Sequence, residues 1–225
     1  MDRPSEIAIV GGGLAGLSLA VALVRWRTNA RITVIDPRTT YSDDRTWCFW
    51  DVLDHPFRKA ISHRWNAWRV TNNQGSISAV SERYPYCRLP AGAFYKHAFA
   101  VLEAAENVTL RLGRSVDSVS ETGDAAKVNT SDGTLVADLA FDARPPDASD
   151  WVAGDHPFFW QVFEGWRVTT QEPIWETGIV DLMDFSDRPS PDGIGFLYTL
   201  PLTADEALVE STAFVTPDRL SGDHG

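Results

Sequence analysis

Val10-Gly11-Gly12-Gly13-Leu14-Ala15-Gly16 is the stretch on which the architecture of this chain turns. Before it, Glu6 to Val10 (EIAIV) reads as a short buried strand, and after it Leu14, Leu17, Leu23 and Val24 recur at near-helical spacing. Arg31 to Asp36 (RITVID) reads as a second buried strand. Strand, helix and strand within about 30 residues imply a right-handed parallel crossover. The glycines satisfy G-x-G-x-x-G through Gly11, Gly13 and Gly16. The first allows a tight turn, the second lets a pyrophosphate approach the backbone, and the third lets helix and strand pack closely. The helix start at Leu14 and Ala15 faces the phosphate charge. Asp36 lies 20 residues beyond Gly16, at the end of the second strand, where a carboxylate accepts hydrogen bonds from ribose hydroxyls. The implied ligand is a dinucleotide, with NAD and FAD served by the same physics. NADP alone is disfavoured, because Asp36 would repel a 2′-phosphate.

The chain has 225 residues and is 44% hydrophobic, enough to bury a core in one domain or two small ones. Lys+Arg 20 against Asp+Glu 31 leaves a net charge of -11, whose field repels nucleic-acid backbones and anionic lipid headgroups alike. That argues against nucleic acid as a partner. Cys48 and Cys87 lie far apart with no Cys-x-x-Cys pair, which gives no disulfide framework and no zinc signature and fits a reducing cytoplasm. The five histidines share no ligand spacing with cysteines or carboxylates, so no metal is assigned. Ile7 to Val24 approaches the length of a membrane span or signal core. Gly11 to Gly13 in its middle and Asp2 and Glu6 before it argue against both.

Further along, Gly92 to Ala105 has helical periodicity, followed by short strands at Val108 to Leu112, Val116 to Val119 and Lys127 to Thr130. Asp132-Gly133 is a turn dipeptide that should fold a strand over Leu135 to Phe141 back as a hairpin. The pattern breaks at Arg144-Pro145-Pro146-Asp147, which suggests a dinucleotide-binding domain over 1–149 and a second domain over 150–225. The second should be mostly β, with strands at Gly165 to Thr170, Gly178 to Leu182, Gly195 to Leu200 and Ala207 to Phe214. The chain ends just after a strand with no closing helix, which gives the expectation of a truncated domain.

Three further segments resemble the bacterial lycopene cyclase family. The first is Asp43-Asp44-Arg45-Thr46-Trp47-Cys48-Phe49-Trp50, similar to the family's block after the ribose-binding acid. The second is Val136 to Arg144 (VADLAFDAR), similar to the strand end that returns the chain to the flavin domain. The third is Phe159 to Trp166 (FWQVFEGW), then Asp181 to Phe185 (DLMDF), Tyr198 to Pro201 (YTLP) and Ala207 to Thr212 (ALVEST). The resemblance implies an α/β fold: a Rossmann-like FAD-binding domain of the hydroxylase-like flavoprotein architecture joined to a mostly antiparallel β substrate domain. It also implies bound FAD, active in its reduced form with NADPH as external reductant. The implied substrate is lycopene, whose ψ-ends would be cyclised to β-ionone rings with no net redox change. Contact with the bilayer that dissolves such a substrate would have to be peripheral and apolar.

Glu210 matches the family's acidic motif ending in Thr, and alternation places Leu208, Glu210 and Thr212 on one strand face. Desolvation in apolar company favours the protonated carboxyl, which makes Glu210 the candidate general acid toward an alkene. Asp181 and Asp184 are candidates to support charge near a cation, with turn-capping as the competing role. Trp47, Phe49, Trp50, Trp160, Trp166, Phe196 and Tyr198 could line an apolar tunnel or simply fill the core. Arg45 and Arg144 are candidates for flavin phosphate or ribose contacts. A monooxygenase or prenyl reductase of the same architecture would share the glycine motif and Asp36, and an inactive dinucleotide-binding fragment is the third reading.

Overall fold

A computed structural model describes residues 4–146, 158–186, 189–190 and 193–216. In chain order its first half runs β1 (Ser5–Val10), α1 (Leu14–Arg25), β2 (Ala30–Asp36), β3 (Thr46–Trp50), β4 (His63–Trp65), β5 (Ala67–Asn72), β6 (Gly75–Val80), β7 (Tyr86–Pro90) and α2 (Ala91–Glu103). There follow β8 (Val108–Leu112), β9 (Val116–Thr122), β10 (Ala125–Thr130), β11 (Gly133–Ala137), β12 (Leu139–Asp142), β13 (Trp160–Thr169), β14 (Ile179–Asp184), β15 (Pro189–Ser190), β16 (Gly193–Pro201) and β17 (Glu206–Val215).

The chain divides into two compact units, one drawn from Met1–Trp47, His55–Ile61 and Leu89–Pro146, the other from Cys48–Asp54, Ser62–Arg88 and Asp147–Gly225. The expected cut between 149 and 150 falls outside the described residues, as does the chain end from Arg219. The division is also not a single cut, because residues 48–54 and 62–88 join the second unit. The physical reason is β5, which pairs in parallel with β14 from Ile179↔Ala67 to Asp184↔Thr71, more than a hundred residues away in sequence.

In the first unit β1 lies between β12 and β2 in a four-stranded parallel sheet, order β12-β1-β2-β8. Parallel strands are covered on both faces, which is why β1 and β2 read as continuous apolar runs. Ile9, Val10, Leu17, Ala20, Val21, Val34 and Ile35 are buried. The expected strand over Leu135 to Phe141 is two strands. β11 pairs antiparallel with β10, as the turn dipeptide requires, whereas β12 leaves the hairpin and runs parallel to β1. Asp138 makes the break: its N–H donates to Glu6 O at 2.8 Å and its carboxylate accepts the Glu6 N–H at 2.7 Å.

In the second unit the order is β13-β17-β16-β14-β5-β6, antiparallel except at β14–β5, with β15 against β16. β4 pairs antiparallel with β7, in a three-stranded sheet of order β3-β7-β4. Trp65, Tyr86, Val180 and Leu200 form a buried cluster, with Cys48, Trp68, Leu182, Tyr198 and Leu208 packed on it. Among the described residues no helix is long and apolar enough to cross a membrane. Trp65 is 2% exposed and its indole N–H donates to Pro201 O at 3.1 Å. Trp65→Ala leaves both a large void and an unmet carbonyl, so urea unfolding followed by circular dichroism is expected to show a loss of about 3–5 kcal/mol.

Candidate functional site

The glycine loop is shaped by its neighbours. Gly11, at φ 103°, makes the turn and its N–H donates to Ile35 O at 2.8 Å. A β carbon on Gly16 would overlap the Gly11 carbonyl oxygen, so helix and turn meet there as bare backbone. At Gly13 a β carbon would meet nothing within 4 Å, yet this residue is the N-cap of α1, with no side-chain cap and no acidic residue in the first turn. The N–H groups at the start of α1 are therefore left to a ligand, and the helix dipole favours an anionic one.

Gly11, Gly13, Leu14 and Ala15 line a groove of about 600 Å³ at the carboxyl end of the parallel sheet, with Asp36, Arg38, Arg45, Trp47, Tyr95 and Arg144 along its walls. A second hollow, lined by Pro4, Arg27, Asn29 and Asn107, lies at the other end of the strands. Ligands of open α/β sheets bind at the carboxyl end, so the first groove is the candidate site.

Asp36 is 4% exposed and fully engaged. One carboxylate oxygen accepts the Gly12 N–H at 2.6 Å and an Arg38 guanidinium N–H at 3.3 Å, and the other accepts the Arg38 backbone N–H and Nε–H, both at 2.9 Å. Burial works against the charge, but the Arg38 side chain and the two backbone donors outweigh it and hold the carboxyl below its usual range. Four donors fill the acceptor sites of a carboxylate, so a ribose hydroxyl gains this group only in exchange for part of the Arg38 fork. The Arg38 guanidinium also offsets part of the charge that was expected to repel a 2′-phosphate. Arg38, which also stacks 4.4 Å from the Tyr41 ring centroid, escaped the sequence reading; its signal was its place two residues after the acid.

Arg45 lines the groove but is largely exposed, with its closest carboxylate partner at Asp44, 3.5 Å away. Arg144 is held at the groove by Asp142 at 2.7 Å and by the Val116 carbonyl at 2.6 Å. Of the acidic block, Asp43 caps α2, accepting the Gly92 N–H at 2.8 Å.

The second unit holds Glu210 half-buried on β17, opposite Tyr198 on β16 and Gly165 on β13. Its Oε1 accepts the Thr212 hydroxyl at 3.0 Å. Tyr198 and Tyr86 hydroxyls are 3.0 Å apart, and the Cys48 side chain packs on the same buried cluster. Burial pushes the Cys48 thiol up to about 11 and the Tyr86 phenol up to about 12, and raises Tyr198 too, so all three stay protonated at neutral pH. Leu208 and Tyr198 share this face with the apolar cluster. Asp184 does not. It pairs with Leu197, one residue out of phase with Tyr198, so it stands on the opposite face of the sheet. Its carboxylate caps the Ser186 N–H at 2.9 Å. Asp181, on that same opposite face, is forked by Arg69 at 2.6 and 3.2 Å. The aromatic set is scattered: Trp47 packs on Phe94 and Tyr95, Trp50 on Trp68 and Tyr86, and Phe196 near Phe185 and Phe214.

A parallel βαβ sheet with a glycine-loop groove, joined to an antiparallel β unit, defines the hydroxylase-like flavoprotein architecture. Solved structures agree on the fold. A geranylgeranyl bacteriochlorophyll reductase-like protein from Thermoplasma acidophilum superposes with a TM-score of 0.67 at 15% identity, over 97% of this chain and 58% of that one. A salicylate hydroxylase superposes at 0.64 and 15% identity, over 99% and 58%. The family model described as lycopene cyclase protein matches residues 6–224, and the chain belongs to that family. The lycopene beta-cyclase of Pseudescherichia vulneris is 26% identical over 227 residues, covering 93% of this chain and 51% of that enzyme. The chain thus spans about half the length of the curated relative it matches.

Two glycine variants separate packing from binding. Gly16→Ala is expected to lower stability by about 1–3 kcal/mol, as overpacking does. Gly13→Ala should leave thermal unfolding unchanged but weaken FAD, measured by fluorescence titration, by about tenfold or more, equivalent to about 1.4 kcal/mol.

Proposed function

We propose that the protein is an FAD-dependent lycopene cyclase that converts ψ-ends of lycopene to β-ionone rings by acid–base chemistry without net redox change. The observation that carries this reading is Glu210, a half-buried carboxyl on the apolar face of the second unit, in a chain of the lycopene cyclase family.

The groove of the first unit fits FAD. Gly13 leaves a cradle that a β carbon would fill, the first turn of α1 offers uncapped N–H donors, and Asp36 with Arg38 stands where the ribose would lie. Arg45 and Arg144 would contact phosphate or ribose from the groove wall. When bound and kept reduced by NADPH, the flavin supplies an electron-rich ring that gains and loses no electrons over the cycle.

The acid step falls to Glu210. Its proton passes to the terminal double bond of the ψ-end and leaves a tertiary cation. The next double bond attacks that cation, closing the six-membered ring and moving the charge into it. Loss of a ring proton restores a neutral alkene, and the Glu210 carboxylate is the base that balances the cycle. Aromatic faces at Tyr86 and Tyr198 are suited to a neighbouring cation. Asp184, on the other face of the sheet, receives no part in this step. Docking at the bilayer that holds the substrate would be peripheral and apolar, because the net charge of -11 opposes anionic headgroups.

Glu210→Gln is expected to retain flavin absorbance and to lose cyclisation by about 10²–10⁴-fold, the range of general acid catalysis. Carotenoid analysis in a lycopene-accumulating host measures it, and undiminished β-carotene would refute the assignment. Product isomeric with substrate, without matching NADPH consumption, separates the cyclase from a monooxygenase or reductase.

A further inference from the structure

Gly165 stands in the middle of β13, directly opposite Glu210, within an unbroken ten-residue ladder from Trp160↔Val215 to Thr169↔Glu206. Three structural reasons commonly call for glycine inside a strand, and none applies. The backbone is not left-handed, since Gly165 is absent from the positive-φ glycines. The ladder has no bulge at this point. Nor is space short among the described residues: a β carbon would lie 3.9 Å from Glu210 Cγ, Glu210 Oε2 and the Val209 carbonyl oxygen, an ordinary contact. A β-branched residue would suit this position of the sheet better, and a glycine here weakens the strand. A glycine at such a place also marks where a ligand or another backbone comes close to bare backbone, and here it lies exposed on the edge strand.

The surroundings of Glu210 say which partner. Its cross-strand neighbour on β16 is Tyr198, anchored to Tyr86 at 3.0 Å. Oε1 is occupied by Thr212. Oε2 is the oxygen that faces the space above Gly165. A carbon resting on the sheet at van der Waals distance, about 3.5–4.0 Å, would stand just beyond the place of the missing β carbon, on the side of the strand where Oε2 lies.

We propose that Gly165 is a specificity-determining residue whose bare backbone seats the flat isopropylidene terminus of an acyclic polyene against Glu210 Oε2. This rests on the reading of Glu210 as the acid. Any side chain at 165 would intrude on the space beside Glu210 Oε2 that a terminal methyl group would otherwise use.

The test is a size series, Gly165→Ala and Gly165→Val, made in the protein as expressed from its own gene beside Glu210→Gln. Lycopene and β-carotene are quantified in an accumulating host, and thermal midpoint and flavin content are measured on purified protein. One methylene-sized intrusion is worth about 10–200-fold in discrimination. Cyclisation is therefore expected to fall about tenfold in Gly165→Ala and further in Gly165→Val, with flavin content unchanged and the midpoint unchanged or raised. Wild-type cyclisation in Gly165→Val overturns the proposal, and so does a loss accompanied by a lower midpoint, since the glycine then serves the sheet. An active Glu210→Gln refutes the acid assignment itself, whereas an inactive Glu210→Gln beside a fully active Gly165→Val refutes the seat alone.

Discussion

The carbonyl oxygen of Gly11 occupies the space that any side chain at residue 16 would need. That close approach fixes how α1 leaves β1, and much of the first unit follows from it. With the helix start held at the turn, its uncapped N–H groups open into the groove at the carboxyl end of the sheet. The Gly12 N–H reaches the Asp36 carboxylate at the end of β2. Asp36 in turn organises Arg38, whose guanidinium packs against Tyr41 and Tyr95 and so ties the acid to the groove wall. The places proposed for an anion and for a ribose are two ends of one backbone contact rather than separate features.

The first unit was legible because its signals are local. Strand, turn, helix and acid fall within 36 residues, each with its own period or spacing, and they agree with one another. What escaped was non-local. β5 and β6 belong to the second unit through β14, a parallel pairing that nothing near Ala67 announces. The hairpin between them turns at Asn72↔Gly75 with few alternating apolar residues to advertise it. The single strand expected over Leu135 to Phe141 failed for a related reason. Its apolar run is continuous in sequence, but Asp138 hands its second half to β1 by bonding both backbone groups of Glu6.

Site residues divide along the same line. The glycines and Asp36 are a motif, and spacing finds them. Arg38 is visible only once the carboxylate is seen to be saturated by it. In the second unit, Glu210 came from family resemblance and strand alternation, and the register puts it with Leu208, Tyr198 and the apolar cluster. Alternation misleads at Asp184. It lies three positions beyond Asp181, so an unbroken strand would place the two on opposite faces, with Asp184 on the side of Glu210. The pairings with β5 instead skip Leu182, taking Asp181 to Arg69, Met183 to Val70 and Asp184 to Thr71. That single extra residue turns Asp184 to the far face, with Asp181 and Arg69. A bulge of one residue thus decides which carboxyl shares a surface with Glu210.

Glycines in this chain carry two kinds of information, and the structure separates them. Gly11 and Gly16 are demanded by the protein itself, one by its dihedral and the other by a carbonyl oxygen. Gly13 and Gly165 are demanded by nothing within the described fold: a side chain at the first meets open space and at the second only ordinary contacts. Both stand next to the groups that would meet a ligand, the bare start of a helix in one unit and an acid's open oxygen in the other. A residue type that weakens a strand, kept where no packing or dihedral requires it, marks space that the chain leaves for something else. By that argument the surfaces proposed to bind ligands in the two units would be outlined by what is missing beside Leu14 and beside Glu210.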